Sequence, residues 1–495
     1  MAFLYTTFIA VAAFVLYLYI RYRRDPHGTL PFIGHLHHFA GRSRQAAFNW
    51  QIAQCRANGG ATWKQELPGV LTSWFTSDPA CIKYVLVNKA MKFQKGAFFT
   101  ERTKPLFGKG FLNVSGDSWQ AQRHAGQTFT TPETLSHIGA SFIPRSLPVF
   151  HRALDKASAT GEVIDFGNVA RAFTLSLFGA VAFGAQEDRF LADFSRPFDN
   201  AMKVINLRFA TPAYSLFERV LPYGRSLSAD LDEIRKFTRR LVQEALGRIR
   251  EEEEGAKDPR TDTELIIRGL LTSGREMDED EMADCCLNYV LAGRDSAGDA
   301  ITWMMYSLLK NPSYLTRIIA EVDSLPSGIS NNDLVNHVPL LEATISENLR
   351  LHTPVPVEAL QSIAQEDLAM PDGTIVPPGG IVMWSPWVMA RLPVTWGEDA
   401  GSFRPERWME MKYRPSAFEN PVFHAGKRNC LGQQLAKLEL VVVMKELLQN
   451  YEFEMGWDGS DRSPRRGFTA RMEGGLPIKV RRREQMEKSG GASIL

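Results

Sequence analysis

Phe423-His-Ala-Gly-Lys-Arg-Asn-Cys430-Leu-Gly432 sets a single cysteine at the mouth of an apolar run, Leu431 to Leu448, whose pattern predicts a helix. The first turn of a helix presents unpaired N–H groups and the positive end of the dipole, and both favour thiolate over thiol. A thiolate calls for a metal or a reaction. No neighbouring cysteine completes a zinc or iron–sulfur site, whereas one soft ligand suits an axial position of heme iron. The plain alternative is an inert buried cysteine. Against it stand the fixed offsets F-x-x-G-x-R-x-C-x-G, filled by Phe423, Gly426, Arg428, Cys430 and Gly432.

The rest of the chain sets the frame for this segment. It has 495 residues, 44% hydrophobic and 23% charged, which excludes disorder, collagen and coiled coil. Lys and Arg number 57 against 56 Asp and Glu, a net charge of +1, so no nucleic-acid partner is implied. Five scattered cysteines exclude a disulfide framework. Phe3 to Ile20 is uncharged and followed by Arg21, Arg23 and Arg24. About 18 residues at roughly 1.5 Å each just span a thin bilayer, and basic residues after the span place the body in the cytosol. The expected division is a membrane anchor over 1–24, a proline-containing hinge over 25–40 with Pro26 and Pro31, and a catalytic domain over 41–495.

Alternating runs near Thr62–Leu67 and Leu71–Thr76 read as strands, and Asp78-Pro79 reads as a helix start. A helical middle is expected from about 117 to 350, broken at Pro212 and Pro222 and by the solvated run Glu251–Glu254. Short strands and turns follow over 353–387, then the helix after Cys430 and a final hairpin. The fold class is mainly α with a small β region, one large body preceded by one N-terminal transmembrane helix.

The Cys430 segment resembles the heme-binding signature of the cytochrome P450 superfamily, and three further motifs follow that family's order and spacing. Glu347-Asn-Leu-Arg350 resembles E-x-x-R, with Pro405-Glu-Arg407-Trp408 as the later motif whose arginine joins it. The resemblance implies a buried clamp of Glu347, Arg350 and Arg407 that locks the loop carrying Cys430. Ala292-Gly-Arg-Asp295-Ser296-Ala297, in a helix expected from about Glu279 to Lys310, resembles the oxygen-binding motif. It implies that Asp295 and Ser296 relay protons, with Gly293 and Ser296 weakening the helix to open a groove. Ser296 stands where threonine is usual. Trp119-Gln-Ala-Gln-Arg123-His124 resembles the W-x-x-x-R helix. Arg123 and Arg428 are then the partners of the heme carboxylates, assisted by the Trp119 indole and His124.

The resemblance implies heme b (iron protoporphyrin IX) with Cys430 as axial thiolate, and a monooxygenase that inserts one oxygen atom of dioxygen into an unactivated C–H bond. Electrons would come from NADPH-cytochrome P450 reductase, with cytochrome b5 as a second donor, docking on a basic face that includes Lys427 and Lys437. The expected location is the endoplasmic reticulum membrane, single-pass. Phe93–Phe111 would form a distal-pocket loop, Phe209–Leu221 a lipid-facing entry, and Val355-Pro356-Val357 would point at the heme. These segments are apolar and suit a lipophilic substrate. Ala292 to Asp295, Leu351 to Val357, Trp384 to Arg391 and Trp396 to Trp408 are most similar to the branch that oxidises fatty acids and alkanes at the chain end. Terminal hydroxylation of a fatty-acyl or alkyl chain is the working expectation. The alternatives are oxidation of a polyketide or terpenoid in fungal secondary metabolism, and a reductase-independent isomerase or dehydratase, against which the Asp295–Ser296 pair argues.

Overall fold

The computed structural model describes residues 12–17, 28–30, 32–184, 187–211, 214–254 and 264–483, the side chains of 187–192 and 332 excepted. Its centre is a 32-residue helix, and its label follows from chain order. The helices used below are α1 (Gly96–Phe107), α2 (Gly116–Gln127), α3 (Phe166–Phe183), α4 (Glu187–Arg208), α5 (Tyr214–Val220), α6 (Pro222–Glu253), α7 (Glu279–Lys310), α8 (Pro339–Leu351) and α9 (Gln433–Asn450).

Helix α7 has the expected bounds, and its start is well determined. Asp278 caps it by accepting from the Glu281 N–H at 2.6 Å, and Glu279, Asp280 and Glu281 fill the positive first turn. It packs most extensively on α3, which Asp165 caps and a left-handed Gly184 ends. Gly293 makes this approach possible, since a Cβ there would run into the Phe178 ring of α3. That corrects the expectation for Gly293. The glycine serves helix packing, and α7 continues unbroken through the motif. Among the described residues α3 is long and apolar enough to cross a membrane, but 78% of it is buried inside the body, so it is a core helix.

The β region is small. Strands β1 (Trp63–Leu67), β2 (Leu71–Phe75), β3 (Phe93–Gln94), β5 (Glu358–Ser362) and β6 (Ile381–Trp384) form one sheet in the order β1-β2-β6-β5-β3. Only β2 and β6 run parallel, with Ser73 opposite Ile381. A second sheet joins β4 (Ile164–Asp165), β8 (Pro477–Arg482) and β7 (Tyr451–Met455), with Val480 opposite Phe453. The expected strands near 62–76 and the terminal hairpin are thus present. Asp78 caps the next helix with Pro79 in its first turn.

Other expectations need correction. Phe93–Phe111 is mostly helix α1, not a loop; Thr100 and Thr103 fold their hydroxyls onto carbonyls one turn back, and Pro105 comes late in the helix. The expected break at Pro222 is present: α5 ends at Val220 and Pro222 opens α6, where the missing N–H costs nothing. The acidic run closes α6 as expected, with Glu251, Glu253 and Glu254 exposed, and Glu252 pairs with Arg268 at 2.5 Å. Helix α9 begins at Gln433, three residues after the cysteine. Most of the expected anchor, including Arg21, Arg23 and Arg24, lies outside the described residues, as do Pro26, Pro31 and Pro212. Residues 12–17 are helical, with Phe14, Val15, Leu16 and Tyr17 exposed.

Candidate heme site

The loop from Phe423 to Gly432 is tightened by its own backbone. The Cys430 N–H donates to the Phe423 carbonyl at 2.8 Å, and the Asn429 N–H to that of Gly426 at 3.1 Å. Gly426 sits at φ +68°, and a Cβ there would strike the Leu86 carbonyl oxygen, so both conformation and space require glycine. Gly432 has an ordinary φ of −80°. A Cβ on it would stand 3.9 Å from Cys430 Sγ, so its hydrogen keeps the flank of the sulfur clear.

Cys430 is exposed, yet burial by the surrounding protein raises its thiol pKa, against the pull of the Gly432 N–H and Arg123. The helix-mouth argument predicted the opposite net direction. Burial is the largest of these influences and outweighs the Gly432 N–H and Arg123. A thiol that is both accessible and desolvated lies in a recess of the fold.

Two guanidiniums flank this recess. Arg123 on α2 donates to Asn429 Oδ1 at 2.5 Å, and Arg428 reaches Ser115 Oγ at 3.4 Å. Both lie over the Trp119 ring, at 5.8 and 4.5 Å from its centroid. Burial lowers the pKa of both, and in Arg428 the neighbouring Arg123 lowers it further. Neither forms an ion pair with a described carboxylate. Two desolvated, mutually repelling cations beside an accessible thiol are matched by a dianionic macrocycle, so the residues present fit heme with its two carboxylates. His124 is different. It lies exposed in an open surface hollow with Trp119, Arg123 and Arg275, and makes no described hydrogen bond.

On α7, every residue from Cys285 to Leu309 is buried except Ala292, Asp295 and Ser296. One narrow window of the central helix is therefore accessible, and it falls on the expected motif. Ser296 Oγ donates to the Ala292 carbonyl at 2.5 Å, so its hydroxyl lies within that window. Asp295 is held differently than expected. Arg294 Nη1 stands 2.9 Å from Asp295 Oδ1 and 2.8 Å from Asp199 Oδ1 on α4. Burial alone would raise the Asp199 carboxyl, but Arg294, Arg471 and Arg171 more than offset it and leave it below the ordinary value. Asp299, one turn after Asp295, is raised to about 6 by burial, with Arg171 at 3.5 Å.

The clamp is fully buried. Arg350 grips Glu347 with two bonds of 2.8 and 2.7 Å. Arg407 Nε adds a third at 3.4 Å. Sequence reasoning missed three other partners: the Trp408 indole N–H at 2.9 Å, the Arg404 backbone N–H at 2.9 Å, and Asp399, which Arg407 and Arg404 hold at about 2. Trp408 was in plain view inside the Pro405–Trp408 motif; Asp199 had no sequence signal. Arg350 also donates to the carbonyls of Ala390, Ala400 and Ser402. The described bonds of the clamp therefore fasten segment 390–408, and the cysteine loop is held through Arg123, Arg428 and Gly426 instead.

The cytochrome P450 family model matches residues 25–474. The chain belongs to the cytochrome P450 family. Cytochrome P450 94A1 of Vicia sativa is 28% identical over 83% of this chain and 81% of the relative. Cytochrome P450 94B3 of Arabidopsis thaliana is 29% identical over 92% of each. The cytochrome P450 monooxygenase cyp1 of Mycosarcoma maydis is 28% identical over 89% of this chain and 71% of the relative. The protein is accordingly a P450 monooxygenase, an oxidoreductase with heme b on an axial cysteine thiolate. As a P450 it works with redox partners and lipophilic substrates.

Proposed function

We propose that Cys430 supplies the axial thiolate and that the enzyme hydroxylates a fatty-acyl or alkyl chain at or near its end. The observation that carries the site assignment is the accessible window Ala292–Asp295–Ser296 on a helix otherwise buried from 285 to 309, together with a single accessible cysteine. Bound heme supplies the activation of dioxygen, and the thiolate favours O–O cleavage.

The chain's own residues supply position, charge and protons. Arg123 and Arg428, steadied by Trp119, hold the heme carboxylates. Ser296 presents its hydroxyl from the Ala292 turn, and Asp295 feeds it with protons drawn past Arg294 and Asp199. Glu347, Arg350 and Arg407 keep the surrounding backbone rigid. Residues 1–24 tether the body to the endoplasmic reticulum membrane, which is supported by the uncharged run and by exposed Phe14 to Tyr17. NADPH-cytochrome P450 reductase, with cytochrome b5, docks near exposed Lys427; Lys437 is half-buried and contributes less.

The chain-end preference is supported by the similarity of Leu351–Val357, Trp384–Arg391 and Trp396–Trp408 to that branch of the family, and by the apolar entry. Leu207, Leu216, Phe217, Val220 and Leu221 are all exposed there. The test is turnover by the full-length protein with the reductase and NADPH, offered saturated fatty acids and alkanes. A product heavier by one oxygen at the terminal or adjacent carbon is expected. Turnover of terpenoid or polyketide substrates alone would overturn the chain-end reading.

A further inference from the structure

Six charged side chains meet inside the body beside the accessible window, and Asp299 is the one carboxylate among them without a task. Arg171 comes from α3, Asp199 from α4, Arg294, Asp295 and Asp299 from α7, and Arg471 from the segment before β8. Arg294 meets Asp199 and Asp295 at 2.8 and 2.9 Å, Arg471 stands 3.9 Å from Asp199, and Arg171 stands 3.5 Å from Asp299. Two further groups face Asp299. Thr469 lies beside it, and Arg44, which donates to the Arg465 and Thr469 carbonyls at 2.8 and 3.0 Å, is within reach of its charge.

Solvent touches this network at Asp199 and Arg471. Side-chain exposure falls from 29% at Asp199 and 28% at Arg471 to 14% at Asp295 and 1% at Asp299. Asp299 is therefore the inner end, one helical turn after Asp295 and on the same face of α7. Its Oδ1 meets Arg171, but its Oδ2 has no described hydrogen-bond partner, and neither has the buried Nε of Arg294. An unsatisfied acceptor and an unsatisfied donor in one buried charge network suit a bridging water. Burial raises Asp299 to about 6, with the Asp295 charge adding to it, against the pull of Arg171, Thr469 and Arg471. A carboxyl so placed keeps a proton in a range where an ordinary aspartate has lost it.

We propose that Asp299 acts through Asp295: it stores a proton one turn behind the relay and passes it to the Asp295 carboxylate once Asp295 has given its own to Ser296. The O–H bond that breaks is on the Asp299 carboxyl, and the one that forms is on Asp295. Asp299 is left as a carboxylate opposite Arg171 and regains its proton from solvent along the Asp199–Arg471 edge. No electron moves. This rests on the reading of Asp295 and Ser296 as the relay and adds a positioning residue to it.

The experiment has two readouts on the full-length, heme-loaded protein. In the resting protein, infrared difference spectra taken across pH 6 follow the carbonyl stretch of protonated carboxyls. D299N is expected to lose one titrating band of the wild type, while Asp284, also raised to about 6, keeps its own and is removed separately by D284N. In turnover of a saturated fatty acid with the reductase and NADPH, the wild-type ratio of hydroxylated product to peroxide is expected to fall as pH rises through about 6. D299N is expected to be flat, severalfold lower on the acid side and equal to the wild type on the alkaline side. A merely structural Asp299 would lower the ratio at every pH alike. No band lost in D299N, or pH profiles that run parallel, would overturn the proposal. D295N separates the two readings: full coupling in D295N would overturn the relay itself, whereas an impaired D295N beside a D299N that follows the wild type would overturn only the part of Asp299. Should D299N fail to take up heme, the wild type and D284N decide. A ratio that falls through about 6 in both supports the stored proton, and a flat profile overturns it.

Discussion

Arg294 Nη1 lies 2.8 Å from Asp199 Oδ1, a bond that ties the central helix α7 to α4 beside the accessible window. The same nitrogen stands 2.9 Å from Asp295. Asp199 thus competes with Asp295 for one buried cation. In D199N the guanidinium turns wholly to Asp295, which is then released to carry protons less often. The expected result is a lower ratio of hydroxylated product to peroxide, with NADPH consumption largely kept. D295N should be more severe, with turnover down roughly 100-fold or more, the usual effect of losing a positioned general acid. Unchanged coupling in D199N would show that this bond has no part in the relay.

The clamp is a matter of stability. Removing one partner from a buried ion pair leaves an uncompensated charge at a cost of about 3–5 kcal/mol. E347Q and R350A should each lower the denaturation midpoint accordingly and impair heme retention. W408F removes only the indole bond to Glu347 and should cost about 1–2 kcal/mol. Guanidinium unfolding followed by circular dichroism separates these values.

Glu439 on α9 is fully buried, neither carboxylate oxygen has a described partner, and burial raises its pKa to about 8. Its folded pKa exceeds the ordinary carboxylate value, so between about pH 4.5 and pH 8 the native state holds a proton that the unfolded state has lost. Stability then falls as pH rises through that window, by up to about 1.4 kcal/mol per unit. E439Q should abolish this share of the slope and be the more stable protein at pH 8. Parallel pH profiles of wild type and E439Q would contradict the assignment.

The two loop glycines make a contrasting pair. G426A meets both a positive φ and the Leu86 carbonyl, and should fail to assemble a heme-loaded protein. G432A meets neither obstacle, so its effect should be confined to the sulfur's surroundings: heme is taken up, with a shifted absorption band. Equal behaviour of the two variants would mean that the loop is looser than its hydrogen bonds imply.

Much of this organisation is legible in the sequence because it is local. Strands near 63–75, the bounds of α7 and the cap at Asp78 follow from periodicity and from Asp and Pro placed at helix starts. Spacing makes only the Glu347–Arg350 pair legible, since the two are one helical turn apart, and Arg407 joins them through the family resemblance. Contacts made across the fold were not. Asp199 meets Arg294 only because α4 crosses α7. Gly293 looks like a weak point in one dimension and is a packing contact in three. Whether Cys430 gains from a helix dipole depends on where α9 starts, which is at Gln433, three residues on.

The central claim is that Cys430 is the heme ligand, and the reduced carbon-monoxide difference spectrum of wild type and C430S tests it most directly. The wild type is expected to show the thiolate-ligated band and C430S to lose it while its far-ultraviolet circular dichroism stays unchanged. Persistence of that band in C430S, or its absence in heme-loaded wild type, would contradict the account.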